Sequence, residues 1–170
     1  TLYRASRNSS DKRIPVIGLK GSRTGDFFPL SPRINPFSSN EIWLLEGEPD
    51  AIIASQDGLN CITVTGGVNT WSGLPYDQLK YLSGKNVIIC FDNDKAGVEG
   101  SKSLAERISA VGVASLKCIN VPKGNDVSEF FLRYGGSAQQ LRQYASQAPY
   151  LLKPAKRNVS NLPLSETGKA

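Results

Sequence analysis

The sequence predicts an α/β fold: a mainly parallel four-stranded sheet with helices on both faces, preceded by a small basic β-hairpin region. Three observations carry that expectation. From Glu41 onward, short apolar runs alternate with helix-length segments, and Gly or Pro marks the changeovers. A chain of 170 residues that is 39% hydrophobic can bury one good core, so one principal domain is expected. Residues 1–40 differ in kind, being rich in Gly, Ser, Pro and Arg.

EIWLLE (41–46) reads as the first strand. Pro49 suits the first turn of a helix and Gly58 its stop, which makes PDAIIASQDG a short helix. CITVT (61–65) is β-branched and reads as the second strand, followed by a Gly66-Gly67 turn. Pro75 opens the helix PYDQLKYL, which Gly84 closes. NVIICF (86–91) is the third and most apolar strand. A longer helix over 96–111 sets Leu104, Ile108 and Val111 on one buried face and ends at Gly112. ASLKCINV (114–121) is the fourth strand.

Asn125 or Asp126 caps the next helix, whose Val127, Phe130, Phe131 and Tyr134 at helical spacing read as core. Ser137 and Gln140 have the spacing of a capping box for a last helix. In the first region IPVIGLK and DFFPL suggest the small antiparallel hairpin, whereas residues 153–170 lack periodicity. The expected organisation is thus 1–40 a basic N-terminal region, 41–150 the α/β domain and 151–170 a tail or linker.

Composition narrows the chemistry. The chain has no histidine and no CxxC, which argues against zinc. Cys61, Cys90 and Cys118 each sit in an apolar run and read as reduced core cysteines, which suggests a reducing, cytoplasmic setting. No apolar stretch approaches the ~20 residues of a membrane span, and no membrane partner is expected. The chain begins at Thr1 and contains no methionine, so a piece of a longer protein is expected. Lys and Arg outnumber Asp and Glu seven to two in residues 1–40, are outnumbered nine to twelve in 41–150, and lead four to one in 151–170. The first basic arm, with Arg13, Lys20 and Arg23 among its cations, suits a nucleic-acid backbone.

The acids lie where an open parallel sheet binds ligands, beyond the C-terminal ends of its strands. Glu46 ends the first strand, Asp92 and Asp94 end the third, and Asp126 follows the fourth. Residues two apart in extended backbone face one side, so Asp92 and Asp94 point together, and Asp50 lies one helical turn beyond Glu46. Carboxylates without histidine or cysteine make a hard-oxygen site suited to Mg²⁺, with Mn²⁺ as substitute. The cation would offset the Asp92–Asp94 repulsion and leave positions for substrate phosphates, which points to phosphoryl transfer. An EF-hand loop from Asp92 fails, because Ala96 and Ser103 stand where it needs ligands. A phosphatase of the haloacid-dehalogenase type would leave EGEPD unexplained.

LLEGEPDAI (44–52) followed by ICFDNDKAG (89–97) resembles the Toprim domain, in its bacterial primase and primase–helicase branch. PKGNDVSEFF (122–131) resembles that branch's further acidic turn, and VTGGVNTW (64–71) its glycine turn. The resemblance implies that Glu46 does acid/base work or contacts metal, that Asp92 and Asp94 hold catalytic Mg²⁺, and that Asp50 and Asp126 support them. One departure stands out: Ser128 stands where these primases commonly have a second Asp, leaving a second metal position to Glu129 or water.

What the resemblance implies about function is the catalytic core of a DNA primase, a nucleotidyltransferase making RNA primers on single-stranded DNA template from nucleotides. A replicative helicase or other domains of the parent chain are implied partners, and the nucleoid the implied location. Little activity is expected of the isolated fragment, because substrate alignment would need upstream sequence. A Toprim nuclease or a non-catalytic nucleic-acid and metal-binding module would need the same acids.

Overall fold

The structure, a computed structural model, describes residues 2–3, 17–18, 25–29 and 35–153. Strand β1 (Leu2–Tyr3) pairs antiparallel with β2 (Ile17–Gly18), while β3 (Phe27–Phe28) pairs antiparallel with a strand of the main sheet. Among the described residues, the pieces of IPVIGLK and DFFPL, expected to form a hairpin, pair with other strands and not with each other. Burial explains the outcome. The Phe27 ring packs on Phe37 and Trp71 at centroid distances of 5.2 and 6.2 Å, which places it against the main core.

The chain then runs through β4 (Glu41–Leu45), α1 (Glu48–Gln56), β5 (Cys61–Val64), α2 (Val68–Gly73), α3 (Tyr76–Leu79) and β6 (Asn86–Cys90). It continues through α4 (Lys95–Ser109), β7 (Ser115–Cys118), α5 (Val127–Tyr134), α6 (Ala138–Gln147) and β8 (Tyr150–Leu152). The sheet has six strands in the order β3-β5-β4-β6-β7-β8. Its four central strands are parallel, as expected, and the two edges are antiparallel additions. So β3 belongs to the sheet, not to a separate N-terminal region, and β8 extends the sheet past residue 150.

Alternation along the strands divides the core into two layers. Ile42, Leu44, Val87 and Ile89 face a cluster with Trp71, Leu104 and Ile108, from α2 and α4. Trp43, Leu45, Ile88 and Cys90 face the other, with Ala51, Phe130 and Leu141 from α1, α5 and α6. Helices thus cover both faces. Val68–Gly73, given no element of its own in the sequence reading, follows the Gly66-Gly67 turn as α2, with Trp71 fully buried against Phe27 and Phe91.

Cys61 and Cys90 are buried free thiols, and burial pushes the Cys61 thiol up to about 12; Cys118 is free and half-buried. Buried Lys117 donates to the carbonyls of Ala145 and Ser146 at 2.5 and 3.3 Å and lies over the Tyr150 ring, tying α6 and β8 to β7. Among the described residues, no helix is long and apolar enough to cross a membrane.

The connections matter most for function. Adjacent strands β4 and β6 send the chain in opposite directions, β4 through α1 to β5 and β6 through α4 to β7. In doubly wound sheets such a reversal marks the crevice between C-terminal strand ends where ligands bind.

Candidate active site

Glu46 and Asp92 stand on the two sides of that crevice. Glu46 immediately follows β4, and two buried donors fix the backbone there. Trp71 Nε1–H bonds the Leu45 carbonyl at 3.0 Å, and Thr63 Oγ1–H bonds the Glu46 carbonyl at 2.9 Å. Across the crevice, the Asp92 N–H donates to Glu46 Oε2 at 3.3 Å. The two motifs therefore meet through one direct hydrogen bond.

Asp94 caps α4, its Oδ1 accepting from the Gly97 N–H at 2.8 Å. Gly97 lets the first turn of that helix lie on the site. A Cβ there would stand 2.3 Å from the Asp92 carbonyl oxygen and 2.9 Å from Glu46 Oε2. Asp126 caps α5 in the same way, accepting from the Glu129 N–H at 2.6 Å. Asp50, buried near the start of α1, accepts twice on Oδ1, from the Ser128 amide at 2.7 Å and the Ser128 hydroxyl at 2.5 Å.

Each carboxylate thus has one oxygen committed to holding the fold, Asp92 excepted. Among the described residues, no three Asp, Glu, His or Cys side chains stand close enough to encircle one metal ion. The five acids share an electrostatic neighbourhood and not a finished coordination shell. Burial, followed by the charges of Glu46, Asp50, Asp126 and Asp94, pushes the Asp92 carboxyl up to about 8. Burial also raises Glu46, and the charges of Asp94 and Asp50 add to it against the hydrogen bond from Asp92. Asp50 is raised by burial, with the Ser128 bonds pulling it back.

Two side chains make contacts that the sequence did not signal. Glu129, offered for a second metal position, is engaged at both oxygens, its Oε2 accepting from the Asn125 N–H at 2.8 Å and its Oε1 from Arg133 at 2.5 Å. Asn93, unremarked in sequence because it is the variable letter between two aspartates, bonds three times to the loop that carries Asp126. Thr63 and Trp71 likewise act through backbone, and only Trp71, as an aromatic beside a glycine turn, carried a signal. Arg13, Lys20 and Arg23 lie outside the described residues.

The donor set can be tested against a divalent cation. All side-chain donors are hard oxygens, burial and neighbouring carboxylates raise Glu46, Asp50 and Asp92, and a cation would relieve that repulsion. Glu48 Oε1 and Asn93 Oδ1, close in sequence to Glu46 and Asp92, are buried acceptors with no hydrogen-bond partner among the described residues. A cation that keeps its waters, as Mg²⁺ does, brings donors for such oxygens. The residues fit the group.

A doubly wound sheet with a glutamate after one strand and Asp-x-Asp after its neighbour, at the switch point, defines a Toprim-type fold and acidic site. Residues 43–131 match the family described as Toprim-like, and the chain belongs to that family. Its similarity runs to the primases. The DNA primase of Geobacillus stearothermophilus is 36% identical over 97 residues, which cover 56% of this chain and 15% of that primase. The Gene 57 protein of Mycobacterium phage D29 is 31% identical over 100 residues, covering 59% of this chain and 60% of that protein. The E. coli primase catalytic core superposes with a TM-score of 0.60 at 17% identity, over 85% of this chain and 46% of that one. This last likeness is one of fold. The chain spans less than a fifth of the DNA primases it matches.

Proposed function

We propose that this domain is the catalytic core of a primase-type nucleotidyltransferase, which joins ribonucleotides into a primer on single-stranded DNA with Mg²⁺, or Mn²⁺ in its place. The single observation that supports this best is the Glu46–Asp92 hydrogen bond across the switch-point crevice. It brings a raised carboxyl and an acidic pair to the edge where a nucleotide would enter.

Asp92 would be the main residue to hold the cation, with Asp94, Asp126 and Glu46 as the further carboxylates of its electrostatic neighbourhood. When bound, the cation supplies charge neutralisation at the transferring phosphoryl group, which phosphoryl transfer needs more than a protein nucleophile. The protein's own residues do the rest. Glu46 Oε1 is free of the Asp92 bond and, with its proton affinity raised by burial, suits it to accept the proton of an attacking hydroxyl. Asp50, held by Ser128, supports the wall of the site and contributes its charge from behind. Template and nucleotides are the proposed partners, bound partly by Arg13, Lys20 and Arg23, with a replicative helicase or further domains of the parent chain beside them. The stretch past β8, residues 153–170, would serve as a linker or tail, and a cytoplasmic, nucleoid-associated setting follows from the reading.

One gel tests the reading. The protein, alone and with upstream sequence restored, is incubated with single-stranded DNA, NTPs and Mg²⁺ or Mn²⁺, and both extension and cleavage are scored. New primers that vanish in Asp92→Asn are expected, chiefly with upstream sequence. Shortened template would assign a nuclease instead. Neither product under any condition would leave a binding module.

A further inference from the structure

Asn93 separates the two aspartates of the central motif, and every donor it owns crosses to one loop. Its backbone N–H bonds the Asn125 carbonyl at 2.7 Å. Its side-chain Nδ2 bonds the carbonyls of Val121 and Gly124 at 3.1 and 2.8 Å. The loop between β7 and α5 forms no helix or strand over residues 121–126, so its carbonyls depend on such outside donors. Asp126 is the last residue of this loop and the cap of α5.

We infer that Asn93 is a positioning residue: it straps the loop bearing Asp126 to the strand end bearing Asp92 and Asp94, and so sets the third acidic side chain for the cation. The inference rests on the metal reading above. The residue type follows from the geometry. Two carbonyls must be met from one short side chain, and a carboxamide has two N–H donors on one nitrogen. Aspartate has none, serine has a single donor, and glutamine is a methylene longer. The amide orientation is fixed as well, since its oxygen would face two carbonyl oxygens if turned over. Groups that orient metal ligands from outside the coordination shell typically cost about 10–100-fold in metal affinity when removed.

The test compares Mn²⁺ calorimetry and amide hydrogen exchange in the unmodified protein, Asn93→Ala, Asn93→Asp, Asp126→Asn and the Asn93→Ala/Asp126→Asn double variant. Asn93→Ala should weaken Mn²⁺ binding by about 10-fold or more and speed exchange across residues 121–126. Asn93→Asp should also bind more weakly, despite its added negative charge. In the Asp126→Asn background, Asn93→Ala should change affinity by less than about 3-fold, because the residue it positions is already disabled.

Tighter binding by Asn93→Asp would overturn the inference by making position 93 a direct ligand site. Unchanged exchange or unchanged affinity in Asn93→Ala would overturn it too. If the unmodified protein bound no Mn²⁺ while Asn93→Ala still loosened the loop, the metal reading would fall and the positioning role with it, the exchange data showing that the strap itself was real.

Discussion

Ser128 donates to Asp50 Oδ1 twice, from its amide at 2.7 Å and from its hydroxyl at 2.5 Å. The pair ties the start of α5 to the start of α1 and satisfies a carboxylate buried to 7% exposure. The resemblance drawn from the sequence implies an aspartate at this position in primases. Here it would set a second carboxylate against Asp50, a repulsion that a shared proton or a second cation would relieve. Ser128→Ala should cost about 1–2 kcal/mol, the loss of one charge-assisted donor, and lower Tm by roughly 2–8 °C. Ser128→Asp should lower Tm in EDTA and recover it with Mn²⁺. Equal melting of Ser128→Asp with and without Mn²⁺ would show that the serine does not stand in for a metal.

Gly97 should tolerate no side chain. The nearest atoms to an added Cβ are the Asp92 backbone and Glu46 Oε2, so the helix would have to move off both motifs at once. Overpacking of this kind costs about 1–3 kcal/mol. Gly97→Ala should therefore melt lower and bind Mn²⁺ more weakly than the unmodified protein, read by thermal denaturation and calorimetry. A variant that lost stability yet kept full Mn²⁺ affinity would show that α4 can shift without disturbing the site.

The sequence made the central sheet legible because each of its four parallel strands is a largely apolar run with Gly or Pro close on at least one side. Phe27–Phe28 and Tyr150–Leu152 were not legible as edge strands, since two or three residues show no period. Their pairing is decided by packing on β5 and β7. The core reading of α5 held for Val127 and Phe130, which are buried, while Tyr134 is 52% exposed at the end of its helix. Acid positions were readable because strand ends can be counted. What those acids do besides was not, because capping of α4 and α5 by Asp94 and Asp126, and the Ser128–Asp50 pair, depend on where helices dock. The Asn93 contacts span about 30 residues of chain and leave no local signature.

Nucleic-acid binding should be electrostatic and reside chiefly in residues 1–40. If about four of the seven basic side chains there meet phosphates of a single strand, log K should fall against log salt with a slope of roughly −3, at ~0.7 per contact. Neutral substitutions at Arg13, Lys20 and Arg23 should flatten that slope by about 2. Fluorescence anisotropy with labelled single-stranded DNA over a salt series measures it. A slope near zero in the unmodified protein would remove this region from the interface.

Proton release should accompany metal binding, and Asp92 is its source. The Asp92 carboxyl is pushed up to about 8, whereas in the unfolded chain it titrates near 3.9. Between these values the folded protein holds a proton that the unfolded chain does not, so this group's contribution to stability falls as pH rises. In EDTA, Tm should drop between about pH 6 and pH 8.5, and Asp92→Asn should shrink the drop and raise Tm at the upper end. A cation inverts the preference, because it binds the carboxylate and not the acid. Mn²⁺ calorimetry at about pH 7 in buffers of different ionisation enthalpy should thus report close to one proton released, and clearly less at about pH 9. Asp92→Asn should abolish both the release and most of the binding. Heats that do not depend on the buffer at about pH 7 would mean that Asp92 is already ionised, and that its acidic neighbours do not hold it protonated before the cation arrives.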